Sequence, residues 1–274
     1  MGMTEETVVT AGEDRVSLDM DALVWPAPDA DDVACAGWLA REAGQILLGL
    51  RGEGGKEAGK RGDRGAHEFL VAALARLRPD DAVLSEEGAD DPVRLGADRV
   101  WIVDPLDGTR EYGEPGRTDW AVHVALWSRG TLTAGAVALP ARDAVLTSGA
   151  DGHPPLPARP DGEPIRLAVS RSRPPALVGD LTEALGARTV PMGSAGVKAM
   201  SVVLGESDAY VHAGGQYEWD SAAPVAVARA AGLHTSRIDG SPLAYNREDP
   251  KLPDLVICRV EFAERILAEL RPLI

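Results

Sequence analysis

The sequence predicts a layered fold of mixed α and β type, with an α+β front half and an α/β back half. Three observations carry this. Residues 30–50 are apolar at helical spacing, residues 81–149 hold short apolar runs parted by glycine turns, and beyond residue 165 strand-like and helix-like segments alternate. With 274 residues, 45% of them hydrophobic, the chain can bury one large core or two closely packed smaller ones. We expect an N-terminal extension over residues 1–29, an α+β half over 30–151 and an α/β half over 165–274, the two halves packed as one unit.

In the front half, Val33, Ala36, Leu39, Ala40, Ala43 and Leu47 recur at helical spacing behind acidic N-cap candidates, the mark of an amphipathic helix. The glycines and charges of RGEGGKEAGKRGDRG then predict a mobile loop, and AHEFLVAALARLRP a second helix. DAVLSEE and RVWIVD are apolar runs closed by acidic residues, so they read as buried strands with carboxylates at their ends. WAVHVALWSRGTLTAGAVALPARDAVLTSG reads as an antiparallel meander. The Pro-rich residues 152–164 form the junction. After them IRLAVS, TVPMG and DAYVHAG read as strands, and DLTEALGA, AGVKAMSVVLGE and SAAPVAVARAAG as helices.

Charge and composition exclude several classes of function. A net charge of −15, from 28 basic and 43 acidic residues, lacks the basic face that a nucleic-acid binder needs. No apolar run reaches the roughly 18 residues of a membrane span, and the acidic N-terminus is unlike a signal peptide, so a cytoplasmic protein is expected. Cys35 and Cys258 stand far apart without a metal-ligating neighbour, which predicts two buried packing residues. Gly54 to Lys60 has the GxxxxGK spacing of a nucleotide-binding loop, but Arg61 stands where a Ser or Thr is required and no buried strand precedes it. A flexible surface loop is the better reading there.

One cluster carries chemistry. The strand Val100 to Val103 delivers Asp104, Pro105 prevents the strand continuing, and Asp107 returns three residues later, so two carboxylates point into one small volume. Such a pair is costly unless a cation neutralises it or one carboxyl is protonated, and magnesium suits carboxylates that also meet phosphate oxygens. Gly108 leaves room for a phosphate to approach the backbone, and a helix starting near Thr109 would favour the same anion. Alone, DPLDG is also a polar turn, and Asp220 in EWDSAAP is also an ordinary N-cap. With Glu86 and Glu87 after their own apolar run, the three acidic segments together favour a metal site.

The segments SEE, WIVDPLDGT and WDSAAP resemble the signatures of the inositol monophosphatase superfamily, over roughly residues 30–260 in unbroken order. The resemblance implies a layered αβαβα sandwich of the sugar-phosphatase type, with a metal-binding front half and a substrate-binding back half. It implies that Glu86, Asp104 and the Leu106 carbonyl hold a first Mg2+, that Asp104, Asp107 and Asp220 hold a second, and that Glu87 is an outer ligand. Two or three ions per site are expected. Asp63 matches the acidic residue that acts with the Thr109 hydroxyl on the attacking water, although Lys-Arg-Gly-Asp replaces the usual Thr-x-x-Asp. The implied reaction is in-line attack of a metal-activated water on a phosphate monoester, inhibited by lithium, without a covalent phosphoenzyme.

Within the superfamily, three features resemble the 3′(2′),5′-bisphosphate nucleotidase branch, which implies release of the 3′-phosphate from adenosine 3′,5′-bisphosphate (PAP), or from its 5′-phosphosulfate PAPS, in sulfur assimilation. Arg110, Glu111 and Tyr112 follow the first signature. Ala213 stands where inositol phosphatases carry a glutamate for ring hydroxyls. Gly193, Ser194, Ala195 and Lys198 in GSAGVK resemble the substrate loop. Substrate-binding roles are implied for these four and for Gly108, Thr109, Arg110 and Asp220; Lys198 is either a second-phosphate ligand or a solvated surface charge. The alternatives are an inositol-1-phosphate or fructose-1,6-bisphosphate phosphatase and a non-catalytic phosphate-binding regulator. The expected partner is a small phosphate ester, with no nucleic acid and no membrane, and a homodimer is an allowed assembly.

Overall fold

A helix forms where the apolar periodicity asks for one. α1 spans Asp32–Arg51, is capped by Asp31, whose side chain accepts from Ala34 N at 2.7 Å, and buries Cys35, Ala36, Leu39, Ala40, Ala43 and Leu47. In this computed structural model the described residues are 20–160 and 162–274, so most of the expected N-terminal extension lies outside them. Trp25 nevertheless packs on Trp38 of α1, with ring centroids 4.9 Å apart.

The mobile loop expected after α1 is corrected to a short turn. α2 spans Lys56–Leu77 and takes in the glycine-rich stretch, including the segment that mimics a nucleotide-binding loop. The glycines sit at helical spacing on a buried face. A Cβ on Gly62 would lie 3.0 Å from both Leu47 and Tyr112, and one on Gly65 would lie 2.7 Å from Leu50. Close helix packing explains them, and it overrides their poor helix propensity.

The first sheet runs β1 (Ala82–Ser85), β2 (Arg99–Asp107), β3 (Ala121–Ser128), β4 (Thr131–Leu139) and β5 (Ala144–Thr147) in sequence order. β1 and β2 are parallel and the rest pair antiparallel. β2 does not stop at Pro105; it continues to Asp107 with a register irregularity between Asp104 and Asp107. Pro is tolerated there because the pairing is already interrupted. α3 (Thr109–Gly113) follows at once.

Past the Pro-rich junction come β6 (Arg166–Ser170), α4 (Ala176–Leu185), β7 (Arg188–Met192), α5 (Ala195–Val203), β8 (Ala209–Ala213) and α6 (Glu218–Ala230). β9 (His234–Ser236), β10 (Asp254–Cys258) and α7 (Val260–Leu270) add to the predicted elements. The second sheet has the order β7-β6-β8-β10-β9, parallel about β6 and antiparallel about β10.

Stacking follows from strand alternation. Trp101 and Val103 point to a core shared with α1 and α2, while Val100 and Ile102 point to a core shared with α5 and α6, which lie between the sheets. A third core joins the far face of the second sheet to α4 and α7. The result is a layered αβαβα sandwich. At about 1.5–3 kcal/mol for each fully buried Leu, Ile, Val or Phe, these cores fix the frame on which the polar site is mounted. Both cysteines are buried and unpaired, and no described helix is long and apolar enough to cross a membrane.

Candidate active site

Parallel pairing sets the first two carboxylates. Ser85 is in register with Val103, so Glu86 and Asp104 leave adjacent strands side by side. Their side chains are hydrogen-bonded to one another. Burial and then the charges of Glu86 and Asp107 push Asp104 well above the usual range, and desolvation raises Glu86 although its bond to Asp104 opposes the rise. Asp104 Oδ1 also accepts from Leu106 N at 3.0 Å, which tightens the turn.

Asp107 is held through one oxygen. Its Oδ2 accepts from Gly196 N at 2.6 Å and from the Ser194 hydroxyl, and the imidazole of His123 faces it at 3.3 Å. Burial opposes its charge, but His123, Lys198 and Ser194 outweigh burial and hold Asp107 ionised. Asp220 is the third residue of α6 and not its N-cap; its Oδ2 accepts from Tyr217 N at 2.7 Å in a capping box. Burial and then Asp107 push its carboxyl up to about 7. Ligand atoms of Asp104, Asp107 and Asp220 lie within 4.8 Å of one another. Three carboxylates gathered this closely, with only oxygen donors, fit a hard divalent cation.

A second wall comes from α2 and α3. Asp63 is hydrogen-bonded with Thr109, and burial followed by the charges of Glu87 and Glu86 pushes it up to about 7. The Thr109 hydroxyl donates to the Leu106 carbonyl at 3.1 Å. Gly59 makes this approach feasible, because a Cβ there would stand 2.9 Å from Thr109 Cγ2. Gly108 adopts φ +87, with Ser194 Cβ and the backbone at Asp119 and Trp120 only 3.2–3.3 Å from where its Cβ would be. Its glycine is therefore required by the protein's own packing.

His123 was not among the predicted residues. It is fully buried in β3, with Nδ1 3.0 Å from the Trp219 carbonyl and Nε2 turned to Asp107, so it links the first signature to the start of α6. The one sequence signal was a lone histidine in an apolar strand, AVHVALW. His67 was missed too; it stands one helical turn after Asp63 and pairs with Ser85 Oγ at 2.9 Å, beside Glu86.

The sequence profile of the inositol monophosphatase family matches residues 30–273. The 3′-phosphoadenosine 5′-phosphate phosphatase of Mycobacterium bovis is 52% identical over 243 residues, 82% of this chain and 88% of that protein. The CysQ 3′(2′),5′-bisphosphate nucleotidase of Escherichia coli is 35% identical over 196 residues, 67% of this chain and 77% of that protein. Inositol monophosphatase II of Staphylococcus aureus superposes with a TM-score of 0.74 at 20% identity, covering 88% of this chain and 96% of that one. The chain belongs to the inositol monophosphatase family.

The remaining residues show how this family member differs from the expectations for its substrate side. Glu111 and Tyr112 are buried: Glu111 accepts from Arg171 at 2.9 Å, and Tyr112 donates to the Leu47 carbonyl at 2.6 Å. They clamp α3 to the second sheet and to α1. Arg110 is exposed, 3.5 Å from Glu114, beside a cleft it lines with Lys56 and Thr109. Glu87 is exposed and outside the three-aspartate cluster. The Gly193 amide donates to Asp119 Oδ2 at 2.6 Å and the Ser194 hydroxyl to Asp107, so both are engaged within the protein, while Ala195 opens α5. Lys198 is not a solvated surface charge. It is buried, donates to the Ser194 carbonyl and lies 5.3 Å from the Tyr210 ring centroid; burial lowers its pKa despite Asp107 nearby.

Proposed function

We propose that the chain is a Mg2+-dependent phosphomonoesterase that converts PAP, and PAPS, to the corresponding 3′-dephospho nucleotide and inorganic phosphate. The observation that carries the chemistry is the gathering of Asp104, Asp107 and Asp220 from two motifs over 100 residues apart into one cluster with Glu86 at its edge. The relatives named for PAP support the substrate, and so does Ala213, which gives an inositol ring no carboxylate.

In this reading Glu86, Asp104, Asp107, Asp220 and the Leu106 carbonyl would hold the magnesium ions. Magnesium, when bound, acidifies a water and neutralises charge on the phosphoryl group. Thr109 orients the attacking water, and Asp63, ionised, takes its proton. The new O–P bond forms as the P–O3′ bond breaks, and the leaving oxygen gains a proton. Arg110 at the mouth is the exposed cation for the second phosphate, and Lys198, buried behind Ser194, would serve it by turning from the Ser194 carbonyl. The cytoplasm is the proposed location, since two buried unpaired thiols suit a reducing compartment.

Phosphate release from PAP, inositol-1-phosphate and fructose-1,6-bisphosphate, with magnesium and with a chelator, tests the reading. Turnover that requires magnesium is expected, and calcium should not replace it because its longer oxygen distances fit in-line geometry poorly. No turnover on any of the three would support a non-catalytic phosphate-binding member instead.

A further inference from the structure

Away from the carboxylates, a buried polar network joins the two signatures. The segment that follows Glu86 carries Arg94, whose side chain is 1% exposed. Arg94 forks onto Asp90 at 2.6 and 2.9 Å, and its remaining donors reach across the fold to Asn246 Oδ1 at 2.7 Å and the Arg247 carbonyl at 2.9 Å. Asn246 returns a bond from Nδ2 to the Arg94 carbonyl at 3.1 Å. The backbone N–H groups of Asn246 and Arg247 then donate to the two oxygens of Glu218, at 2.7 and 2.8 Å. Glu218 is fully buried and opens α6, two residues before Asp220.

Burying a guanidinium and a carboxylate this completely is expensive, and apolar residues of the same volume would serve a core as well. What apolar residues lack is direction. Every bond in the chain Arg94 to Asn246 to Glu218 fixes a distance between the Glu86 segment and the first turn of α6. Those two pieces carry carboxylates to one site from opposite ends of the sequence, and the hydrogen-bonded β1–β2 pairing restrains only one of them.

We propose that the Arg94–Asn246–Glu218 network is a positioning device that holds Glu86 and Asp220 at the spacing a divalent metal needs, and so sets metal affinity without touching metal or substrate. It rests on the phosphatase reading above. Positioning residues around metal ligands typically change metal affinity by about 10- to 100-fold.

The test uses Glu218→Gln, which turns an NH2 toward one of the two backbone donors, and Asn246→Gly, which keeps the backbone donors and removes only the side-chain bridge. Gly suits the φ of +58 at Asn246, so the second variant stays foldable if the first is not. Mn2+ binding to the metal-free proteins is measured by electron paramagnetic resonance, alongside the Mg2+ dependence of kcat and KM. The expected result is Mn2+ binding about tenfold or more weaker, with a matching rise in the Mg2+ needed for half-maximal rate and kcat nearly restored at saturating Mg2+. Metal binding equal to that of the unmodified protein, with only a lowered Tm, would overturn the network's role and leave the phosphatase reading intact. Unmodified protein that neither binds Mn2+ nor releases phosphate would overturn both.

Discussion

One oxygen of Asp107 is held by Ser194 and the Gly196 amide and faced by His123, which leaves the other to a cation. In Asp107→Asn the amide keeps its oxygen toward those donors and turns an NH2 toward the metal. Turnover should fall by more than about 100-fold, as should that of Asp104→Asn and Asp220→Asn, since even outer partners of metal ligands are worth that much. Initial rates in saturating Mg2+ decide it, and near-normal turnover in any of the three contradicts the ligand assignment. Asp63 is pushed up to about 7, first by burial and then by Glu87 and Glu86, yet the proposed role in taking the water's proton needs it ionised. The rate should therefore rise with pH along an acidic limb, set below 7 in the loaded enzyme because bound cations favour the carboxylate. Asp63→Asn should flatten that limb and lower kcat by about 10²–10⁴-fold; an unchanged limb would remove Asp63 from proton transfer. Asp104 and Asp107 were legible because a strand, a proline and a glycine fix where two acids three residues apart must point. His123 was not, because its partners lie 96 residues away at Trp219 and on another strand, beyond any local pattern.

At the level of elements, α2 shows where local reasoning stops. Each interior glycine disfavours helix by about 1 kcal/mol relative to alanine. Gly59, Gly62 and Gly65 together therefore argue for a loop until the partners packed against that face are known. Two substitutions separate glycines that are needed from those that are not. Gly49 lies in α1 with nothing within 4 Å of an added Cβ, so Gly49→Ala should stabilise by about 0.4–1 kcal/mol. Gly196→Ala would place a Cβ 2.0 Å from His123 Nε2 in a sealed interior, and overpacking of that kind costs about 1–3 kcal/mol. Chemical denaturation of both variants measures this; equal effects would mean the packing around Gly196 is looser than described. The boundary of β2 teaches the same lesson, since Pro105 sits where the ladder is already irregular and so does not end the strand.

Across the whole molecule, the layer order was legible from the alternation of helical and strand periodicities. The antiparallel placement of β10 between β8 and β9 was not, because strand order depends on contacts far apart in sequence. The sandwich brings the ends of β1 and β2, the start of α6 and the loop before α5 to one acidic centre, in a chain already carrying −15. Asp63 and Asp220 both have carboxyls raised to about 7 from ordinary values near 4. A raised acid contributes stability that is complete below its unfolded value and is lost as pH rises through its folded one. The metal-free protein should thus lose stability between about pH 4 and 7, and Mg2+ at about 100 times its Kd should restore about 2.7 kcal/mol and flatten the dependence. Thermal unfolding at several pH values, with and without Mg2+, checks the sign; a metal-free protein that gains stability over this interval would contradict it. Substrate choice is the most direct test of the whole account. PAP, inositol-1-phosphate and fructose-1,6-bisphosphate offer the metals similar phosphoryl groups, so they differ in what the rest of each molecule gains. One charge-assisted contact to a second phosphate is worth about 1.5–3 kcal/mol, or roughly 10- to 100-fold. Parallel steady-state kinetics on the purified protein should give kcat/KM for PAP at least about tenfold above that for inositol-1-phosphate, which has no second phosphate, with Lys198→Ala raising KM for PAP more than for inositol-1-phosphate. A kcat/KM for inositol-1-phosphate equal to or above that for PAP would contradict the account.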